Sequence, residues 1–166
     1  TNNRSILPTD MISVQEARRL ILEKFTRLEP ISIPIVEAID QVTAKDVIAK
    51  FDIPPHANTG MDGYAVRAED TKEASFSQPK KLAVIGYLPA GKIFDSNVMS
   101  GQAVRIMTGA PIPMGANAIV PFEETDEYRE ETSQNNKIRT EVLIDVEAIV
   151  GANIRPAGED IKKGTV

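Results

Sequence analysis

Apolar positions along this chain fall into two regimes. Near the start, Val14, Ala17, Leu20, Ile21, Phe25 and Leu28 recur with helical spacing. Side chains three and four apart share one face of an α-helix, so this stripe predicts an amphipathic helix of about four turns. Ser13 and Glu16 fit a capping box, with the Ser13 hydroxyl accepting from the Glu16 N–H and the Glu16 carboxylate reaching back to the Ser13 N–H. Pro30 ends the helix, because it has no N–H to give. Ile31–Val36 alternates with period two around Pro34, which predicts an edge or interrupted strand. Glu37–Gln41 reads as one helical turn, and Val42–Ala49 as extended chain.

After Phe51-Asp52-Ile53-Pro54-Pro55, a segment stiffened by its prolines, the apolar runs shorten. Lys81–Gly86, Ala103–Met107, Ala118–Phe122 and Lys137–Val146 are predicted strands, with Gly and Pro clustered at 60–63, 86–91 and 109–115. Short strands with turn punctuation and no intervening helices predict a small barrel or sandwich rather than a parallel α/β sheet. The fold class is therefore mixed α+β, mainly β. A domain boundary is placed near residue 50, with the N-terminal helix in 1–50 and a β-rich, barrel-like domain over 51–146. The run Glu123–Gln134 carries six acids in its first nine residues. It reads as a solvated hairpin end or mobile loop; a calcium site is the alternative, though the EF-hand spacing is absent.

Composition narrows the chemistry. The net charge of −5 over 166 residues excludes a whole-domain basic footprint for nucleic acid. The chain has no cysteine and one histidine, His56, which removes disulfides, thiolate zinc sites and any Ser-His-Asp triad not built on His56. No apolar stretch approaches the ~20 residues that span a bilayer, and no signal peptide is visible, so no membrane partner and a cytoplasmic location are expected. The chain opens on Thr1 and stops at Gly164-Thr165-Val166, where a glycine turn leads into a strand, as expected of a piece of something longer.

Three stretches carry candidate chemistry, each with two open readings. In Asn58-Thr59-Gly60-Met61-Asp62-Gly63-Tyr64-Ala65, an acid between glycines can be exposed and aimed by backbone, or can close its own Asx turn. In Met107-Thr108-Gly109-Ala110-Pro111, backbone N–H groups and a hydroxyl directly after a strand form a small anion nest, or simply a proline-stiffened turn. In Arg155-Pro156-Ala157-Gly158-Glu159-Asp160, an arginine fork and two carboxylates can take an oxyanion and a divalent cation together, or make a surface ion pair of little worth. Ser77-Gln78-Pro79-Lys80 matches S-x-x-K only formally, and the sequon Asn3-Arg4-Ser5 lacks a secretory setting.

In order along the chain, Phe51-Asp52-Ile53-Pro54-Pro55, Met61-Asp62-Gly63-Tyr64-Ala65-Val66-Arg67-Ala68, Pro89-Ala90-Gly91, Arg105-Ile106-Met107-Thr108-Gly109-Ala110-Pro111 and Gly158-Glu159-Asp160-Ile161 strongly resemble the N-terminal part of the MoeA and gephyrin E-domain family of molybdopterin molybdenumtransferases. The resemblance runs from about Ser13 to Val166. It implies molybdenum cofactor biosynthesis: molybdate enters the dithiolene of adenylylated molybdopterin with Mg²⁺ assistance, and AMP is released. It also implies an elongated homodimer and a downstream pterin-binding domain, with the active site between the β-rich domain of one subunit and the pterin domain of the other. In that arrangement residues 1–50 are an N-terminal helix and scaffold segment, completed by 147–166, and 51–146 are a β-rich, barrel-like domain inserted into it. By motif position Asp62, Thr108 and Asp160 are implied catalytic residues and Arg155 is implied to bind substrate; the metal ligands are not assigned. The chain alone is expected to be inactive. Where the family often has an acid, this chain has Asn117, and His56–Gly60 replaces a more usual aromatic or acidic run. A non-catalytic adaptor of gephyrin-like type is the alternative function.

Overall fold

The structure, a computed structural model, describes residues 11–130 and 139–166. The chain divides into two compact units, one ending at Asp46 and one running from Val47 to Val166. In the first, helix α1 spans Val14–Leu22, and the Ser13 hydroxyl accepts from the Glu16 N–H at 3.1 Å. The reciprocal half of the box is replaced: the Glu16 carboxylate accepts from Arg19 instead, at 2.6 Å and 3.0 Å. The helix closes two turns earlier than the stripe predicts. The N–H groups of Lys24 and Phe25 bond back three residues, to Ile21 and Leu22, tightening the end. Phe25 and Leu28 stay 73% and 93% exposed, so no packing holds the last turns in place. Ile31–Val36 is not a strand. Pro34 leads into a single 3₁₀ turn at Ile35–Glu37, in keeping with a segment whose proline cannot donate to a ladder.

Among the described residues the second unit is built on seven strands: β1 (Asn58–Thr59), β2 (Gly63–Val66), β3 (Lys80–Leu88), β4 (Gln102–Ile106), β5 (Ala118–Pro121), β6 (Glu141–Ile144) and β7 (Ile154–Arg155). Five form a curled, half-barrel sheet in the order β5-β2-β4-β3-β6, and β1 pairs with β7. All pairs are antiparallel except β3–β4. The fold is thus mainly β with a small helical part, as the sequence predicts. Side-chain alternation buries both faces of the sheet. Tyr64, Val66, Ala118, Val120 and Ile144 pack on one side, and Ala65, Val104, Ile106 and Ile119 on the other.

Strand β2, between β5 and β4, is the strand that sequence reading passes over as a glycine turn. Gly63 lies between Ile106 of β4 and Pro121 of β5. A Cβ there would run into the Val120 carbonyl, so only glycine lets the three strands close at this point.

The acidic run is also ordered differently from expectation. Its described part is a 3₁₀ turn at Phe122–Glu124 followed by a short helix, α2, at Asp126–Glu130. Asp126 accepts from the Leu143 N–H at 2.9 Å and from Arg139 at 2.5 Å, which ties α2 to β6. The remainder of the run and the predicted strand start at Lys137 lie outside the described residues. Among the described residues no helix is long and apolar enough to cross a membrane.

Candidate functional site

The loop that leads into β2 is closed by Thr59, not by Asp62. The buried Thr59 hydroxyl accepts from the Met61 N–H at 3.0 Å and donates to the Met61 carbonyl at 2.7 Å. Asp62 is therefore free to look outward from its own turn. Its Oδ1 accepts from both the N–H and the hydroxyl of Thr108, each at 2.7 Å. These two donors, hydroxyl first, hold the Asp62 carboxyl below the usual carboxylate range, and the positive charge of Arg105 adds to the effect. The Asx-turn reading of Asp62 gives way to a bond between two motifs 46 residues apart.

The turn after β4 is not an open anion nest. The Thr108 N–H is taken by Asp62, the Gly109 N–H by the Thr59 carbonyl and the Ala110 N–H by the Met107 carbonyl. Gly109 has a φ of 82°, a left-handed conformation that glycine adopts without strain, and this turns the chain back against β1. The donors that sequence reading offers to a ligand are consumed in fixing Asp62 and β1.

Arg155 and Asp160 form the second pair. Arg155 Nη2 donates to both Asp160 oxygens, at 2.8 Å and 3.0 Å, and its Nε donates to Glu159 at 2.6 Å. Those two carboxylates, Glu159 first, raise the Arg155 pKa. The turn that carries the acids is held by the Phe51–Pro55 segment. The Gly158 N–H donates to the Pro54 carbonyl, the Asp160 N–H donates to the Ile53 carbonyl, and Asp52 accepts from the Lys163 N–H at 2.7 Å. Two motifs that the sequence separates by a hundred residues are thus one structural unit.

Strand β1 lies between the two pairs. Asn58 pairs with Arg155 in the β1–β7 ladder, while the Thr59 backbone bonds to Gly109 and Ala110. The Arg155 stem passes 3.9 Å from where a Cβ on Gly60 would stand, two residues before Asp62. The structure binds Asp62 to Thr108 and Arg155 to Asp160; it records no bond between the pairs.

Sequence reasoning missed Arg105, Tyr64 and Glu127. Arg105 Nε donates to Glu127 at 3.1 Å, and the Tyr64 hydroxyl donates to the same carboxylate at 2.6 Å. Burial first, and then Glu127, push the Tyr64 phenol far above its ordinary pKa. Tyr64 and Arg105 both lie inside the motifs quoted above, and the clustered acids of the 123–134 run signalled that some cation must meet them. Asn117, where the family often has an acid, accepts from the Ala68 N–H at 2.7 Å and donates to Glu69. An amide can do both; a carboxylate there would face Glu69 with like charge. His56 is an exposed loop residue. No three described Asp, Glu or His side chains gather closely enough to cage a metal by themselves.

Residues 12–166 match the family described as MoeA N-terminal region (domain I and II). Molybdopterin molybdenumtransferase 2 of Mycobacterium tuberculosis is 41% identical over 155 residues, covering 93% of this chain and 36% of that protein. Molybdopterin molybdenumtransferase of Staphylococcus epidermidis is 36% identical over 155 residues, with 93% and 35% covered. The crystal structure of the molybdopterin biosynthesis MoeA protein from Pyrococcus horikoshii OT3 superposes with a TM-score of 0.76 at 35% identity, covering 95% of this chain and 39% of that one. The chain thus spans about 36% of the length of the first of these curated relatives, and by its fold, its ordered motifs and this match it belongs to the family of MoeA N-terminal regions.

Proposed function

We propose that this chain serves in molybdenum cofactor biosynthesis as part of a molybdopterin molybdenumtransferase, and that Asp62, Thr108, Arg155 and Asp160 are its contribution to the active site. The observation that carries the reading is the Asp62 carboxylate, kept ionised and oriented by two donors from a different motif. The relatives' names favour the transferase over the adaptor alternative.

In this reading molybdate and adenylylated molybdopterin are the substrates, and AMP leaves as the metal enters the dithiolene. The donor set suits Mg²⁺, which takes one or two carboxylates and completes its shell with water and substrate phosphate. Asp62 and Asp160 would hold it, and when bound it would neutralise the adenylyl phosphate. Thr108 keeps Asp62 from rotating. Arg155 holds Asp160 until an oxyanion shares its guanidinium, whose fork matches phosphate or molybdate oxygens. Residues 1–50 with 147–166 serve as scaffold and 51–146 as the β-rich domain; a homodimer partner and a pterin-binding domain supply the opposite wall of the cleft, in cytoplasm.

The test is molybdate insertion by a full-length protein carrying this region. Asp62→Asn and Asp160→Asn are expected to lower insertion by about a hundredfold or more with folding preserved by circular dichroism. Wild-type rates in both variants would remove the site. The 166-residue chain by itself is expected to show no turnover.

A further inference from the structure

Strands β2 and β4 end their ladder at Gly63 and Ile106. Past that pair one strand leads back to Asp62 and the other on to Met107 and Thr108, so the site opens where the two part. Arg105 spans this point. Its Nη1 donates to the Gly63 carbonyl at 3.3 Å and the Ile106 carbonyl at 3.2 Å, and lies 3.6 Å from the Met107 sulfur. Its Nε donates to Glu127 on α2. The guanidinium is 5.5 Å from the ring centroids of both Tyr64 and Phe122, which restrict its plane. Arg105 and Glu127 are only 17% and 20% exposed, so each depends on the other to compensate its charge.

We propose that Arg105 is a positioning residue for the Asp62–Thr108 pair, held in register by Glu127. Its bonds do not add to the β2–β4 ladder, which closes through its own backbone. They fix the carbonyl that follows Asp62 relative to the carbonyl two residues before Thr108. Only a planar fork can reach two carbonyls and a carboxylate together; a lysine ammonium at this position keeps the charge and loses that geometry. Glu127 of the acidic run thereby acquires a task, since α2 carries the carboxylate that aims the fork. The consequence for catalysis rests on the functional reading above, whereas the positioning does not.

The experiment reads the Thr108 amide of this chain by NMR solvent exchange, without substrate. In Arg105→Ala and Arg105→Lys, exchange at Thr108 is expected to rise about tenfold while amides of β2 and β5 change less than about twofold, as local opening requires. Glu127→Gln, which keeps the shape and an acceptor for Tyr64, is expected to give the same pattern in smaller measure, and it carries the test if Arg105→Ala does not fold. An unchanged Thr108 amide overturns the proposal. So does an equal rise at Thr108 and in the sheet, which would mean that Arg105 only stabilises the fold, and so does full restoration by lysine, which would mean that charge alone suffices. Because no turnover is measured, a failure here is distinct from wild-type insertion in Asp62→Asn, which strikes the functional reading and leaves the positioning intact.

Discussion

Asp62 and Asp160 are both acids taken up by hydrogen bonds, yet different parts of the fold hold them. Asp62 meets donors 46 residues away, one of them a backbone N–H at the end of a sheet strand. Asp160 meets an arginine five residues away, on an exposed turn. Leaving the first partnership costs the Asp62 carboxylate two donors at once, one of them fixed in the backbone just beyond β4. The second can change by side-chain rotation alone, since the turn beneath it is fixed separately through Ile53 and Pro54. One carboxylate is therefore oriented before any ligand arrives, and the other can exchange its partner for one. Under the proposed function, a site that places a cation and then admits a bulky anion has use for both kinds.

The comparison breaks most completely if the sheet end beneath Asp62 is forced apart. Gly63→Ala places a methyl group against the Val120 carbonyl. Overpacking of this kind costs up to about 3 kcal/mol or more when backbone has to yield, and here both neighbouring strands are backbone-paired to residue 63. The unfolding free energy is expected to fall by that amount, seen as a lower denaturant midpoint at an unchanged slope. A glycine-to-alanine change at Gly151, which has open space around it but a positive φ of 86°, carries only the smaller backbone penalty of about 1 kcal/mol. Equal losses in the two variants would mean that the close approach at Gly63 is not what fixes the strand.

Much of this architecture is legible in the sequence, and the illegible parts share a cause. The start of α1 is readable because Ser13 caps it with its own local chemistry. The end is not, because helix length depends on what the apolar face packs against. Strands β3, β4, β5 and β6 show as short apolar runs between turns. Strand β2 hides behind Gly63, although Tyr64-Ala65-Val66 is the continuous apolar run expected of a strand covered on both faces. Helix α2 carried a readable start signal: Thr125 accepts from the Glu127 N–H at 3.2 Å, with acids in the first turn, as helix N-termini prefer. At the site, the Arg155–Asp160 pair follows from spacing alone. The Asp62–Thr108 pair does not, because a bond across 46 residues is a property of strand register.

A smaller effect separates the two acids by pH. Asp62 is held below its ordinary range in the folded chain, so it adds stability that is complete above the unfolded value near 3.9 and is lost as pH falls through the lower folded value. Thr108→Val removes the hydroxyl, the larger cause of that depression, and keeps the side-chain shape. At neutral pH it is expected to lower stability by about 1 kcal/mol. The gap between wild type and variant should narrow as pH falls below about 4, as measured by denaturant titration across that range. A gap that stays constant through this range would mean that Thr108 contributes by packing and not through the Asp62 charge.

The smallest effect is expected at the other pair. Glu159 and Asp160 share the Arg155 guanidinium on an exposed turn, where solvent competes for every charge. Glu159→Gln removes one of the two carboxylates and leaves Asp160 with both oxygens on Nη2. The melting temperature is expected to stay within error of wild type, and to respond no differently to added salt, because the turn is carried by the backbone bonds of Gly158 and Asp160 to Pro54 and Ile53. Releasing Arg155 from one carboxylate should nevertheless raise its affinity for an oxyanion, since less local negative charge opposes binding. Titration with molybdate alone, followed through the Arg155 Nε–H resonance, should show tighter saturation in Glu159→Gln than in wild type. A marked loss of stability in this variant would show that the turn depends on its ion pairs as Asp62 depends on Thr108, and the contrast between a fixed and an exchangeable carboxylate would not hold.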